Sequence, residues 1–283
     1  MGDMMSYKMV VLDLDGTLLD NDKQICEKNE YMLKELHNKD IEIVIATGRN
    51  YYMAKKLTEK IKCINPVILS NNGSVVRRSH NDEVLYYNYL DPIFFEKIYC
   101  EGLKRNLNPF IHVDEYNNGY DIIYEKEEFE REYSGYIKKD YNRAKMIKFE
   151  PLNTQRILSV CYFNEYNKLI DFGNEMANNK DYNTIFNRNL GKLTLLEFLH
   201  PNGSKWSSLK KYAEQRNIKE EEIIAIGDDN NDLEMLKNAG MGIAMINGTE
   251  EVKEAANKVS KYDNNASGVY HELSEIFKIS KII

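Results

Sequence analysis

Long apolar runs are missing from this 283-residue chain: no stretch approaches the length that spans a bilayer, and the first residues lack the charged-then-apolar order of a secretory signal. A soluble cytoplasmic protein is the expectation. Cysteine is sparse, with Cys26, Cys63, Cys100 and Cys161 far apart and no Cys-x-x-Cys pair, which argues against a disulfide framework or a zinc knuckle. Reduced and mostly buried thiols are expected instead. The five histidines are scattered too, so sequence spacing offers no His/Cys cluster for a transition metal. Positive charge is not in excess: a net charge of −7 disfavours nucleic acid or an anionic membrane as the main partner. No internal repeat or low-complexity linker interrupts the chain.

With 42% hydrophobic residues, the chain can bury one large core or two modest ones. Met9-Val10-Val11-Leu12 reads as a buried strand that delivers Asp13 and Asp15 at its end, where Gly16 permits a sharp turn. Ile25, Met32, Leu33 and Leu36 mark one face of a helix over 23–39. Ile41 to Ala46 forms a second strand ending in Thr47-Gly48-Arg49, followed by a helix from Tyr51 to about Lys62. Pro66 to Ser70 is a third strand, and Asn71-Asn72-Gly73 favours a tight turn. This βαβ rhythm predicts a parallel sheet.

From residue 88 to 191 the chain turns tyrosine-rich and polar, which reads as an inserted module. Helices are expected around 92–106 and 165–179, with strands at 121–124 and 156–163. The acidic run from Glu125 to Glu130 reads as a solvated helix face. The parallel rhythm is expected to return near Leu195. Ser204 then caps a helix opened by Lys205 and buried through Trp206, Leu209, Tyr212 and Ala213. Glu222 to Gly227 forms a strand running into Asp228-Asp229-Asn230-Asn231-Asp232, with a helix after it. Met241 to Met245 forms another, followed by Asn247-Gly248 and a helix over 250–258.

Acids and amides thus collect after several strands of one sheet, a pattern suited to phosphoryl transfer. Asp13 would attack phosphorus, and Asp13 and Asp228 are hard oxygen ligands that, with a main-chain carbonyl and waters, suit Mg²⁺. Asp15 would protonate the leaving alkoxide and then deprotonate water. The Thr47 hydroxyl, the Lys205 ammonium and the Asn231 amide would hold the non-reacting phosphate oxygens.

Asp13-Leu-Asp15-Gly-Thr-Leu, Ala46-Thr47-Gly48-Arg49, Lys205 and Gly227-Asp228-Asp229-Asn230-Asn231-Asp232 resemble, in order, the four motifs of the haloacid dehalogenase-like superfamily. The insertion between the second and third motifs, with Ser70 to Ser74 and Asn247-Gly248, is similar to the Cof-type phosphatases with a type-IIB cap. The resemblance spans nearly the whole chain. It implies an α/β fold with a Rossmann-like parallel-sheet core over 1–87 and 192–283, and an inserted α/β cap over 88–191 that selects substrate. It also implies Mg²⁺ held by Asp13, the Asp15 carbonyl and Asp228, a phosphate site that includes Gly48, and hydrolysis of small phosphorylated metabolites. Tryptophan at 206 departs from the glycine common after the third-motif lysine, and Asn247-Gly248 from the commoner Asn-Ala. Neither removes a catalytic group.

Several positions stay open between two readings. Arg49 reaches phosphate or the cap, or forms a structural ion pair. Asn72 shapes the cleft floor or only a turn, and Asp229 is a secondary metal ligand or a solvated acid. Asp232 orients Lys205 or a metal-bound water, or simply starts a helix. Trp206 anchors the core or narrows the cleft, and His200 reads as a loop residue. Arg143, Lys145, Arg156 and Arg188 are candidate cap contacts to substrate. The alternatives to a phosphatase are a hexose phosphomutase of the same superfamily and an inactive regulator that binds phosphometabolites. Met1-Gly2-Asp3-Met4-Met5-Ser6 formally matches a myristoylation pattern, which a short lead-in explains equally well.

Overall fold

The computed structural model describes residues 7–61, 64–127, 143–149, 156–177, 180–190 and 193–279, with the side chains of 188–190 excepted. The expectations for Gly2, Cys63, Glu128 to Glu130 and the Arg188 side chain lie outside the described residues. The chain forms two compact units, Met1–Tyr86 with Ser204–Ile283, and Tyr87–Gly203.

The first unit is built on an eight-stranded sheet. In chain order its strands are β1 (Met9–Leu12), β2 (Glu42–Ala46), β3 (Val67–Ser70), β4 (Val75–Arg78), β5 (Val84–Tyr87), β12 (Ile223–Gly227), β13 (Met241–Ala244) and β14 (Lys258–Val259). Their spatial order is β14-β13-β12-β1-β2-β3-β4-β5. The six strands from β14 to β3 pair in parallel, and β4 returns antiparallel to β3. Strands β1, β3 and β12 are buried along their whole length, which explains their unbroken apolar reading. The chain leaves β1 toward β2 on one side and resumes at β12 on the other, so a switch in strand order falls at β1.

The helices of this unit are α1 (Glu27–Asn38), α2 (Tyr51–Thr58), α5 (Lys205–Gln215), α6 (Leu233–Asn238), α7 (Glu250–Ala255) and α8 (Gly268–Phe277). Helix α5 starts where Ser204 Oγ accepts the Ser207 N–H at 3.0 Å. Trp206, Leu209, Tyr212 and Ala213 then pack into the core with Val11, Val44 and Ala225, so Trp206 is a core anchor. Three boundaries differ from the sequence reading. Ile25 precedes α1 and bridges to Leu19; α2 ends at Thr58; and the expected 250–258 helix ends at Ala255, with Lys258 opening β14.

The second unit carries a six-stranded sheet of β6 (Phe110–Glu115), β7 (Tyr120–Tyr124), β8 (Ala144–Met146), β9 (Ile157–Asn164), β10 (Asn183–Leu190) and β11 (Leu193–Leu199), in the order β10-β11-β9-β6-β7-β8. All its pairs are antiparallel except β7 with β8. Helices α3 (Pro92–Lys104) and α4 (Tyr166–Ala177) share an apolar cluster with Ile111, Val160 and Phe198 of the sheet. The parallel rhythm expected near Leu195 is corrected here. Residues 194–199 are buried on both faces of the sheet, yet β11 lies antiparallel to β9, and the unit runs on to Gly203 rather than ending at 191. Glu125 is not simply solvated: it accepts the Phe149 N–H at 2.6 Å and the Tyr99 hydroxyl at 2.7 Å. Among the described cysteines Cys161 is buried, Cys26 is half-buried and Cys100 is exposed, against the expectation of mostly buried thiols.

No helix among the described residues is long and apolar enough to cross a membrane.

Candidate active site

Strands β1, β2, β3, β12 and β13 are neighbours, and those paired in parallel end at the same sheet edge. Asp13, Thr47, Asn71 and Asp228 each follow the last residue of such a strand. Local sequence therefore decides what stands on this edge, and three turns assemble it.

After β1 the backbone turns at Gly16, whose φ of +79° is open to glycine at little cost. A side chain there would also collide with the Asp228 carboxylate. After β3, Asn71, Asn72 and Gly73 all take positive φ, and the Asn72 N–H reaches the Thr47 carbonyl at 3.0 Å. This turn aims the Asn72 Oδ1 at the Asn231 amide, 3.0 Å away. Gly48 sits beside both: a Cβ there would lie 3.3 Å from Asn72 Oδ1. After β12, Asp229 Oδ1 accepts the Asn230 N–H at 2.8 Å and opens a helical turn. That turn swings Asp232 back under the strand end, where its Oδ2 accepts the N–H groups of Asp228 and Asp229 at 3.0 and 3.1 Å.

Asp13, Asp228 and Asp232 consequently present carboxylate oxygens within 4.8 Å of one another. Lys205, 1% exposed, donates to Asp13 Oδ1 at 2.7 Å and to Asp232 Oδ1 at 2.6 Å. Burial alone would discharge this lysine, yet Asp13 and Asp232 outweigh it and push its pKa up, so it stays an ammonium. Burial, with Asp232 alongside, pushes Asp228 up to about 7. Burial likewise raises Asp13, with Lys205 pulling the other way. Among the described residues, Lys205 is the cation in hydrogen-bond contact with these acids. The cluster is all oxygen and carries more carboxylate than ammonium, so the donor set and the charge both fit a hard divalent cation.

Asp15 points elsewhere. Its carboxylate takes Arg49 Nε at 2.5 Å, Arg49 Nη2 at 2.7 Å and Lys23 Nζ at 2.7 Å. Burial would raise this acid, but Arg49 and then Lys23 bring it down to about 2. Of the readings left open for Arg49, an ion pair is what this structure contains. Asp232 is bonded to Lys205, while Asp229 caps a turn outside the three-acid cluster.

Three members of this edge have no role assigned from the sequence, although Asn247 is noted there with Gly248. Thr17 donates to Asp228 Oδ1 at 2.8 Å, and Asn247 Nδ2 donates to the Gly16 carbonyl at 2.8 Å. Thr17 stood inside a quoted motif without a task, so a signal existed. Lys23 sits on the turn between Leu19 and Ile25, where no local pattern announces it.

In the second unit, Arg143 is committed to Asp121, to the Tyr116 carbonyl at 2.9 Å and to the Tyr116 ring. That arrangement counts against its being a mobile substrate contact. Arg156 and His200 instead line a cavity of about 570 Å³ with Tyr89, Phe94, Lys180 and Asp181. His200 Nδ1 accepts the Asn202 N–H at 3.0 Å, as a loop residue would.

Comparison with known proteins agrees with this architecture. The chain is 28% identical over 291 residues to phosphatase YwpJ of Bacillus subtilis, covering 95% of this chain and 99% of that one. It is 29% identical over 261 residues to the phosphoglycolate phosphatase of Methanosarcina acetivorans, covering 91% of each. A crystal structure of a haloacid dehalogenase-like hydrolase from Bacteroides thetaiotaomicron superposes with a TM-score of 0.79 at 27% identity, covering 96% of this chain and all of that one. The sequence profile of the haloacid dehalogenase-like hydrolases matches residues 10–273, and the chain belongs to that family.

Proposed function

We propose that the protein is a Mg²⁺-dependent phosphomonoesterase that hydrolyses small phosphorylated metabolites of the cytoplasm through an aspartyl-phosphate on Asp13. The observation that carries this reading is the meeting of Asp13, Asp228 and Asp232 around Lys205 at one sheet edge. The names of the relatives, phosphatases of bacterial and archaeal origin, support hydrolysis over isomerisation.

Asp13 attacks phosphorus and the bond to the ester oxygen breaks, with Asp15 giving that oxygen a proton. Asp15 then takes a proton from water, whose oxygen attacks the phosphoryl group, frees inorganic phosphate and restores Asp13. Thr47, Gly48 and Asn231 contribute hydrogen bonds to the phosphate oxygens, and Lys205 adds positive charge. Asp232 holds Lys205 in place, while Thr17 holds Asp228. Mg²⁺ held by Asp13, the Asp15 carbonyl and Asp228 would offset the charge of nucleophile and phosphate.

With a pKa of about 2, Asp15 is a carboxylate, ready for the second half-reaction but not the first. Proton donation therefore requires Arg49 and Lys23 to leave it and a proton from solvent or from the substrate phosphate to take their place, and a phosphate group is the anion that would draw them off. The second unit is assigned the choice of substrate.

The test is phosphate release from a panel of sugar phosphates, nucleotides and other phosphomonoesters with Mg²⁺ present, wild type against Asp13→Asn. Release by the wild type that disappears in the variant is expected. Equal rates in the two would overturn the covalent mechanism. Conversion of glucose or mannose phosphates without release would make the protein a mutase, and binding without any turnover a regulator.

A further inference from the structure

Sequence spacing offers no His/Cys cluster, yet the six-stranded sheet makes one. Ser159 and Cys161 lie two residues apart on β9 and so face the same side. In register, His112 of β6 stands opposite Ser159, and Glu197 of β11 stands opposite Cys161. Three adjacent strands thereby place an imidazole, a thiol and a carboxylate together, with donor atoms all within 4.8 Å of one another. His112, Cys161 and Glu197 are 3%, 0% and 4% exposed, and Phe110, Phe163 and Leu195 surround them with apolar surface.

We propose that His112, Cys161 and Glu197 form a binding site for a divalent transition metal of the zinc class within the second unit. Cys161 Sγ and Glu197 Oε1 are 3.6 Å apart, close to the edge of about 3.5 Å that a tetrahedron with Zn–S near 2.3 Å and Zn–O near 2.0 Å requires. Thiolate with imidazole selects a borderline metal over Mg²⁺ or Ca²⁺, unlike the all-oxygen cluster of the first unit. Charge also balances: a thiolate, a carboxylate and a neutral imidazole around a divalent cation sum to zero, the condition under which buried ions are least costly. Ser159 Oγ lies 3.3 Å from Cys161 Sγ and 3.4 Å from Glu197 Oε1, placed to donate to one ligand and fix its orientation. On binding, the Sγ proton passes to solvent.

The experiment titrates chelator-treated full-length protein with Co²⁺ in excess Mg²⁺ and follows the thiolate-to-cobalt absorption band. An all-oxygen site cannot produce that band. Wild type is expected to take up about one equivalent with the band, and Zn²⁺ to displace it. Cys161→Ser should lose the band, and His112→Gln and Glu197→Gln should each weaken binding at least ~10-fold, the scale on which even supporting residues of metal sites act. Circular dichroism checks that each variant folds, and the two glutamine variants carry the test if Cys161→Ser does not. No band in the wild type, a band that persists in Cys161→Ser, or unchanged affinity in both glutamine variants would overturn the proposal.

Discussion

The two units hold their chemistry in opposite ways. In the first, the candidate residues Asp13, Thr47 and Asp228 follow the ends of parallel strands and Lys205 opens a helix, so local sequence fixes where each emerges. In the second, His112, Cys161 and Glu197 sit in the middle of antiparallel strands and meet only across hydrogen-bonded neighbours. A strand-end site is written locally because its turn, its glycine and its acid are adjacent in the chain. A sheet-face site is written at separations set by connection length, which carries no chemical signature. The contrast teaches that absence of a spacing pattern excludes a local site, and says little about a cross-strand one.

The sharpest break in this comparison comes from Asp13→Asn. If strand-end residues carry the reaction, this nearly isosteric change should lower kcat at least ~10³-fold, about 4 kcal/mol of transition-state stabilisation, with the fold intact by circular dichroism. A loss of less than tenfold would remove Asp13 as nucleophile and with it the functional reading of the first unit.

The second unit should respond in stability. Arg143 and Asp121 are 16% and 6% exposed at their side chains, and the arginine also takes the Tyr116 carbonyl and ring. Arg143→Met would leave a buried carboxylate without this partner and should cost about 3 kcal/mol, read as a lower denaturant midpoint. Adding Asp121→Asn should restore part of that loss, because the uncompensated charge disappears. Unchanged stability together with a raised KM would instead return Arg143 to substrate recognition.

What was legible follows the same division. Strands β1, β2, β3, β12 and β13 were readable because burial on both faces leaves near-continuous apolar runs. Asp13, Asp228 and Lys205 were readable because a strand end or a helix start fixes where each emerges. Ile25 was misread as helical because an apolar residue at helical spacing looks the same when it belongs to a turn. The parallel rhythm near Leu195 was misread because Leu195, Leu196, Phe198 and Leu199 look continuous when both faces of β11 are buried, though the strand is antiparallel. An ion pair was one reading of Arg49, but its partner Asp15, and Lys23 beside it, were invisible because an ion pair depends on where side chains end.

Arg49 tests how far local motif reading extends. The second motif delivers it beside Thr47, yet the structure spends it on Asp15. If phosphate draws it away, Arg49→Met should raise KM about tenfold, roughly 1.4 kcal/mol of lost binding. The kcat ratio of alkyl to aryl phosphates should not fall, since Asp15 is then less strongly held as a carboxylate. Steady-state kinetics on the two substrate classes measures this. A large fall in kcat at constant KM would show that Arg49 acts only in the transition state.

The smallest effect belongs to Asp82, which contrasts an ion pair of the first unit whose acid is 29% exposed with one of the second whose acid, Asp121, is 6% exposed. Asp82 Oδ1 accepts Lys55 Nζ and the Tyr51 hydroxyl, both at 2.6 Å. Burial raises its carboxyl, but Lys55 and Tyr51, with Arg77 nearby, lower it below its ordinary value of 3.8. A depressed carboxylate favours the folded state above the unfolded pKa of about 3.9, and that contribution is lost as pH falls through the folded one. Asp82→Asn should therefore cost no more than about 1 kcal/mol at pH 7, after allowance for solvent screening. The gap to wild type should close as the pH drops below the ordinary carboxylate range, whereas the cost of Arg143→Met at pH 7 should stay several times larger. Thermal melts of both variants from pH 7 downward measure the two costs together. A gap at Asp82 that widened in acid would reverse the sign derived from Lys55 and Tyr51.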